Sequence, residues 1–296
     1  MPILNEMEKN STIYIIGAGP QLNSLLDEEV NLLERSATIG VNRVQYKVKT
    51  RYFISAYPSE ILLAQKILPK HSTIIHMRPK IEDLFPEFNN IITIKREIFD
   101  KNKGLSRFLS LSNPVIFTKM NVALGATHLA FILGAKKIVY IGVEQRNKVH
   151  FYDESIAIKQ RIKKDLVDLK KWHSIFSIDH RNRSCENYLK ALDSNIDDLK
   201  ASKFYTTDHV DTFREYFKIM RKQGVEIYAT KKDSVVFDAG AVYKSLQYFL
   251  NHFEDWLDRL QKRRKRSESL LKEVERDLGR SRSWLENISN ISVEVG

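Results

Sequence analysis

The chain has 296 residues, of which 43% are hydrophobic, enough for one large α/β domain with or without an appendage. Lys and Arg outnumber Asp and Glu by 48 to 37, so the net charge is +11. Cys185 is the only cysteine, which excludes an intramolecular disulfide and a cysteine-based zinc site. No continuous apolar run is long enough to span a bilayer, and the first residues lack the apolar segment of a secretory signal. We therefore expect a cytoplasmic protein.

The first strong pattern is a short apolar, β-branched run at residues 13–16 that leads directly into Gly17-Ala18-Gly19-Pro20. The run predicts a buried strand, and Pro20 fits the first turn of a helix predicted over residues 20–33. Glycines permit a positive φ and let a ligand approach the backbone closely. A strand, a glycine turn and a helix N-terminus together favour a bound anion such as a nucleotide phosphate. A purely structural connection fits these residues equally well, and the third glycine of the NAD fingerprint is absent.

Polar residues follow two further predicted strands. Residues 37–41 lead into Asn42 and Arg43, and residues 136–142 are followed closely by Glu144. Since open α/β sheets bind ligands at the carboxyl ends of their strands, we expect these side chains beside the glycine turn. The alternation of strands and helices predicts an α/β, Rossmann-like fold with a mostly parallel sheet and helices on both faces. Other predicted strands cover residues 51–56, 73–76, 91–95 and 225–229, and other predicted helices cover 59–67, 120–133 and 212–223.

Two segments do not fit this alternation. Residues 145–205 are polar, helical in pattern and too long for a simple connection, so we interpret them as a helical insertion or lid. We interpret residues 246–296 as a basic C-terminal helical extension to a Rossmann-like domain of residues 1–245. Their apolar stripe fits packing within the chain or between protomers of a homo-oligomer. The basic residues in 262–282 fit a solvated helix or an anionic membrane surface. The lack of a recognisable binding motif disfavours nucleic acid.

The sequence contains no clear metal-binding pattern or nucleophilic triad. Its eight histidines lack metal-ligand spacing, and no serine lies in a nucleophile elbow. The segment Tyr205-Thr-Thr-Asp-His209 precedes a predicted helix. The helix dipole favours a neutral imidazole at such a position, which can act as a base near pH 7. A surface histidine without a role fits the same residues.

Four segments, in order and at similar intervals, resemble the small bacterial sialyltransferases that modify lipooligosaccharide. Residues 17–22 resemble their G-N-G-P-S-L turn, and Val41-Asn42-Arg43 resembles their C-N-Q segment. Residues 118–144 resemble their S-G turn, the helix after it and the strand that ends in G-I-D. Residues 204–212, with 225–229 after a helix, resemble their H-Y-I-G-H and K-L-Y-C segments.

The resemblance, which covers roughly residues 11–245, implies a metal-independent, inverting transferase that uses a CMP-activated sugar and no further cofactor. It implies that His209 is the general base that deprotonates the acceptor hydroxyl, and that Tyr205 and Tyr152 donate hydrogen bonds to the leaving phosphate. Gly17, Gly19 and Asn42 would hold the nucleotide. The other candidate nucleotide-binding residues in the resembling segments are Ala18, Pro20, Gln21, Arg43, Thr118, Asn121, Gly142 and Glu144.

The glycine turn and residues 39–43 also resemble a wider group, the motility-associated flagellin glycosyltransferases and the MptE-like hydroxymethylpterin pyrophosphokinases. A pyrophosphokinase needs ATP and Mg²⁺, for which Glu144 and Asp153 are the positioned carboxylates. His209 favours sugar transfer instead. We therefore expect an enzyme that transfers sialic acid or a related nonulosonic acid to a cell-surface glycan or lipid-linked acceptor, at the inner face of the membrane. A pterin pyrophosphokinase and a non-enzymatic protein that binds nucleic acid or membrane are the alternatives.

Overall fold

The computed structural model describes residues 7–77, 90–98, 108, 115–118, 121–145, 148–174, 189–202, 207–252, 255, 262, 265, 267–272, 275 and 276. The chain forms two compact units, Met1–Leu246 and Gln247–Gly296, and each is described by itself.

The first unit is built on a parallel sheet of eight strands in the order β10-β9-β8-β1-β2-β3-β4-β5. Two further strands, β6 and β7, pair with each other in parallel. The described strands are β1 (Thr12–Ile16), β2 (Thr38–Val41), β3 (Tyr52–Ser55), β4 (Thr73–His76), β5 (Ile91–Thr93), β6 (Arg96–Ile98), β7 (Ile116–Thr118), β8 (Lys137–Ile141), β9 (Glu226–Ala229) and β10 (Val242–Tyr243).

The strand order reverses between β1 and β8. From β1 the chain proceeds outward through β2, β3, β4 and β5, whereas β8, β9 and β10 extend the sheet on the other side of β1. Strand β1 pairs with β8 so that Ile16 lies opposite Ile141. The residues that follow, Gly17 and Gly142, therefore emerge side by side at a topological switch point.

The helices described in the first unit cover both faces of this sheet. Ile13 and Ile15 of β1 belong to a core cluster with residues of three helices, while the alternate residues Tyr14 and Ile16 are also buried. Because successive side chains of a strand point to opposite faces, both faces are covered, and the predicted α/β fold is confirmed. The helices are α1 (Asp27–Glu34), α2 (Pro58–Ile67), α3 (Val122–Ile132), α4 (Ile156–Ser174), α5 (Ile196–Ala201), α6 (Thr207–Lys222) and α7 (Val235–Asp238), with 3₁₀ turns at Pro20–Ser24, Val44–Tyr46 and Phe151–Asp153.

The prediction of a single helix over residues 20–33 is wrong. A 3₁₀ turn covers Pro20–Ser24, the backbone is extended at Leu25, and α1 begins only at Asp27. The N–H of Leu26 donates to the Glu29 carboxylate at 2.9 Å, as in a capping box. Acidic residues in the first turn of α1 add a favourable interaction with the helix dipole.

Helix α4, in the segment interpreted as an insertion, is anchored to the body of the first unit. Its apolar face buries Ile162 and Leu166. Its Asp165 accepts a hydrogen bond from the Tyr46 hydroxyl at 2.9 Å and pairs with Lys66 at 2.6 Å. These contacts hold α4 on α2 and on the neighbouring 3₁₀ turn, so that this part of the segment is a packed element. Residues 175–188 of the segment lie outside the described residues.

In the second unit, residues 247–252 and 267–272 are helical. Leu270 and Leu271 are 54% and 62% exposed. Much of the predicted basic stretch, including Arg263 and Arg264, lies outside the described residues. Over the described residues of the whole chain, no helix combines the length and apolarity needed to cross a membrane.

Candidate functional site

A cleft of about 290 Å³ lies at the carboxyl ends of β1, β2 and β8, in the first unit. Parallel sheets of this kind bind ligands at this edge, where the strand order reverses. Two lining residues, Asn42 and Gln145, have left-handed backbone conformations with φ of 60° and 53°, and such strain concentrates at functional sites. The predicted site residues that line the cleft are Gly17, Ala18, Gly19, Asn42, Arg43, Asn121, Gly142, Tyr152 and His209.

The two turn glycines are required by close backbone packing. A Cβ on Gly17 would lie 2.3 Å from the carbonyl oxygen of Gly142, and a Cβ on Gly19 would lie 1.7 Å from Glu144 Oε2. The N–H of Gly19 also donates to the Gly142 carbonyl at 2.8 Å. The positive φ expected for the turn belongs to Gly142, at +64°, whereas Gly19 has φ −71°. The turn thus joins the ends of β1 and β8.

A carboxylate of the chain itself lies beside this turn. The N–H of Gln21 donates to Glu144 Oε1 at 2.8 Å, and Lys231 Nζ lies 3.4 Å from the same oxygen. Glu144 is 5% exposed. The side chain of Gln21 accepts from the N–H of Gly142 at 3.0 Å and donates to Thr230 at 2.9 Å. Gln21 and Glu144 therefore bind the two strand ends together, and neither they nor Pro20 line the cleft.

Asn121 is fixed at the start of α3. Its Oδ1 accepts from the N–H of Ala123 at 2.9 Å, which caps the helix, and its Nδ2 donates to Gln145 Oε1 at 2.9 Å. Thr118 is buried and does not line the cleft. Its hydroxyl accepts from the N–H of Asn121 at 3.2 Å and donates to the Asn121 carbonyl at 2.8 Å, so it holds Asn121 in place.

Tyr152 contacts two other planar side chains of the cleft, Arg43 and His150. The guanidinium carbon of Arg43 lies 5.3 Å from the ring centroid of Tyr152, and the ring of His150 stacks on Tyr152 at 4.9 Å with an interplanar angle of 6°. We call these three residues the stacked wall. Arg43 Nε pairs with Glu60 Oε1 at 3.1 Å, and His150 Nδ1 lies 3.3 Å from Asp153 Oδ2. One buried carboxylate thus holds Arg43, and another holds His150.

Tyr152 keeps its proton at neutral pH. Burial raises the pKa of its hydroxyl above the usual range, and the charge of Arg43 opposes this shift only partly. The Tyr152 hydroxyl is therefore available as a hydrogen-bond donor. His209 lies in the first turn of α6 and lines the same cleft. Tyr205 lies outside the described residues.

Four polar or aromatic residues of the cleft lining were missed as site residues from the sequence: Tyr57, Glu60, Gln145 and His150. Glu60 occupies the first turn of α2, where a glutamate is usually interpreted as a solvated helix-start residue. Only the fold shows that it is 1% exposed and paired with Arg43. The sequence could have indicated His150 as a site residue, since it lies two residues before Tyr152 and three before the carboxylate of Asp153. Among the described residues, no three His, Cys, Asp or Glu side chains are grouped as metal ligands.

No protein-family model matches this sequence, and no curated protein matches it. Among solved structures, the chain is similar to the sialyltransferase CstII from Campylobacter jejuni in complex with the substrate analogue CMP-3FNeuAc, with 11% identity over 79% of this chain and 86% of that chain and a TM-score of 0.39. A mutant of alpha-2,3/8-sialyltransferase CstII is 13% identical over 80% of this chain and 88% of its own, with a TM-score of 0.42. A CstII variant in complex with CMP has the same identity and coverage and a TM-score of 0.40.

Proposed function

We propose that this protein is a glycosyltransferase that transfers sialic acid or a related nonulosonic acid from a CMP-linked donor to a hydroxyl of a cell-surface glycan. One observation supports this most. The four segments that resemble sialyltransferases in sequence each contribute to the lining of a single cleft, through Gly17, Asn42, Asn121 and His209. That cleft lies at the switch point of a parallel sheet, where such folds bind nucleotides.

In the proposed reaction, His209 accepts the proton of the acceptor hydroxyl while the hydroxyl oxygen attacks the anomeric carbon of the donor sugar. The bond between that carbon and the phosphate oxygen breaks, CMP leaves with the electron pair, and the configuration at the anomeric carbon inverts. The position of His209 in the first turn of α6 supports this role, because the helix dipole favours the neutral imidazole that a base requires.

The leaving phosphate needs hydrogen-bond donors, because it gains negative charge as the bond breaks. Tyr152 lines the cleft and carries its proton, so we assign its hydroxyl to this role. Tyr205 is proposed as a second donor. Gly17, Gly19 and Asn42 would contact the nucleotide, and the reaction as written needs no metal.

The basic extension would keep the enzyme near an anionic membrane, where a lipid-linked acceptor lies. Truncation after residue 250 is expected to weaken binding to vesicles of anionic phospholipid and to leave transfer to a water-soluble acceptor unchanged. Equal vesicle binding by both forms would contradict this part of the proposal.

The donor is tested by thermal shift with CMP, CDP, UDP, GDP and ATP, each with and without Mg²⁺. We expect CMP or CDP to stabilise the protein without Mg²⁺, because the proposed site holds the phosphate through side chains. His209→Ala should then retain CMP binding and lose transfer. His71→Ala, at an exposed histidine outside the cleft, is the matched control and should change neither. Stabilisation by ATP only with Mg²⁺ would favour a pyrophosphokinase, and no response to any nucleotide would refute the proposal.

A further inference from the structure

The two residues that follow β2, Asn42 and Arg43, line the cleft, and we call them the β2 corner. Asn42 has a φ of 60°, a left-handed conformation that is strained for a residue other than glycine and persists where surrounding contacts hold it. A 3₁₀ turn at Val44–Tyr46 follows directly, and the N–H of Tyr46 donates to the Arg43 carbonyl at 3.2 Å. A contact that fixes this turn therefore also fixes the β2 corner.

Tyr46 connects this 3₁₀ turn to helix α4. Its hydroxyl donates to Asp165 Oδ2 at 2.9 Å, and both residues are buried. The guanidinium carbon of Arg161, one helical turn before Asp165 on α4, lies 5.7 Å from the centroid of the Tyr46 ring. Burial, together with the charge of Asp165, raises the pKa of Tyr46 above its usual range, so the hydroxyl keeps its proton and donates it. Helix α4 therefore contacts Tyr46 at both its ring and its hydroxyl.

The segment that carries Asp165 reaches the β2 corner at a second point. Tyr152 lies in the 3₁₀ turn Phe151–Asp153, and α4 begins at Ile156, shortly after that turn. Tyr152 contacts Arg43 of the corner inside the cleft, at 5.3 Å from its ring centroid. Asp165 reaches the corner from outside the cleft, through Tyr46. The segment that follows β8 and the corner that follows β2 therefore hold each other at two points.

We propose that Asp165 is a positioning residue of the cleft, which holds Asn42 and Arg43 in their ligand-binding arrangement by accepting the hydrogen bond of the Tyr46 hydroxyl. Neither Asp165 nor Tyr46 lines the cleft, so both act through the β2 corner. The bond joins residues 119 positions apart in the sequence. A site at the end of β2 thus depends on a helix that follows β8. The choice of CMP as the ligand in the test rests on the proposed function.

Isothermal titration calorimetry with CMP compares two tyrosine variants. Tyr46→Phe removes only the hydroxyl and keeps the ring. We expect it to weaken CMP binding about three- to tenfold, because the hydrogen bond to a charged group that holds the corner is lost. Tyr52→Phe is the matched control, since the buried Tyr52 hydroxyl donates to Glu8 Oε1, also at 2.9 Å, and Glu8 likewise pairs with a half-exposed cation, Arg51. Neither Tyr52 nor Glu8 lines the cleft, so this variant should bind CMP as the wild type does.

Variants of the acceptor separate positioning from general stability. Asp165→Leu should weaken CMP binding as much as Tyr46→Phe does, and the double variant no further, because both substitutions remove the same bond. Asp165→Asn keeps an acceptor oxygen for Tyr46 and should recover most of the affinity. Lys66→Met removes the other partner of Asp165, a 51% exposed lysine at 2.6 Å, and should leave the affinity unchanged. Additive losses in the double variant would overturn the proposal. If Asp165→Leu does not fold, the comparison of the two tyrosine variants decides.

Hydrogen exchange measured by mass spectrometry tests the positioning without a ligand. The N–H groups of Tyr46, Lys47 and Val48 donate within the turn, so their exchange reports how often the turn opens. It should be faster in Tyr46→Phe than in the wild type and unchanged in Tyr52→Phe. If the wild type does not bind CMP but exchange is faster in Tyr46→Phe alone, the CMP-sugar function is refuted and the positioning stands. If CMP binds Tyr46→Phe as tightly as the wild type, the inference is refuted and the proposed function stands. Equal exchange in Tyr46→Phe and the wild type also refutes the inference.

Discussion

Glu60 and Glu144 are two buried carboxylates near this cleft, and they differ in how far neighbouring groups neutralise their charge. Glu60, beside β2, is paired with Arg43, whose side chain is 3% exposed. Glu144, beside β8, accepts a hydrogen bond from the Gln21 N–H and lies 3.4 Å from the half-exposed Lys231. The first pair is neutral as a unit, whereas the charge of Glu144 remains largely unbalanced. The electrostatic potential beside a buried carboxylate therefore depends on the partner of that carboxylate and cannot be judged from its burial alone.

The largest effect is expected at the neutral pair. Glu60→Met leaves Arg43 buried without its carboxylate, so we expect the free energy of unfolding to fall by about 3–5 kcal/mol. The double variant Glu60→Met/Arg43→Met removes both charges and should recover most of this loss. Urea denaturation of the three proteins measures it. Glu144→Gln strands no buried cation and should cost about 1 kcal/mol or less. An equal decrease in the free energy of unfolding for Glu60→Met and Glu144→Gln would contradict the proposed difference between the two carboxylates.

His128 extends the comparison of Glu60 with Glu144, because it is a buried ionisable group that is neutral in the folded protein. Burial lowers its pKa to about 4, and the hydrogen bond with the Phe108 carbonyl opposes the shift. Its Nδ1 accepts from the N–H of Phe117 at 3.0 Å, and its Nε2 lies 2.9 Å from that carbonyl oxygen. Since the unfolded chain has the usual histidine pKa of about 6.5, it binds more protons than the folded chain between about pH 6.5 and 4.

The stability that His128 contributes is therefore complete above about pH 6.5 and is lost as the pH falls towards 4, by at most about 3 kcal/mol. Denaturation between pH 7 and 4.5 measures this loss. His128→Gln cannot titrate and should show a shallower dependence over the same range. Identical slopes in the two proteins would exclude His128 as the cause.

A smaller effect is expected at the turn of Gly17, Ala18 and Gly19 that lines the cleft. The Cβ of Gly17→Ala would lie 2.3 Å from the Gly142 carbonyl, so the strand ends must separate, and we expect a loss of about 1–3 kcal/mol. This loss is expected without any ligand, because the glycine is required by packing between β1 and β8. Wild-type stability combined with lost nucleotide binding would instead show that the glycine serves the ligand.

Local pattern predicted most of the sheet, because apolar runs such as residues 13–16 and 137–141 determine buried strands without further information. Residue pattern alone predicted the site where its residues directly follow strands, as Gly17, Asn42 and Gly142 do. Asn121, Tyr152 and His209, which also line the cleft, were predicted through the resemblance to sialyltransferases. The contacts that give the cleft its charge were not predictable, because they join distant residues. Gln21 and Glu144 are 123 residues apart in the sequence, and the pairing of Arg43 with a helix residue depends on where α2 packs.

The smallest effect is expected for Lys231→Met. Lys231 is 43% exposed and lies 3.4 Å from Glu144, and such ion pairs contribute less than about 1 kcal/mol to stability. Its removal makes the surroundings of Gly17, Ala18 and Gly19, which form one wall of the cleft, more negative. If a ligand phosphate bound at that wall, CMP affinity would fall several-fold, and more steeply at low ionic strength. If the phosphate binds at the stacked wall, CMP affinity should change less than about twofold at any salt concentration. Because Lys231→Met is expected to change stability very little, its CMP affinity shows which of the two walls the charge of the ligand faces.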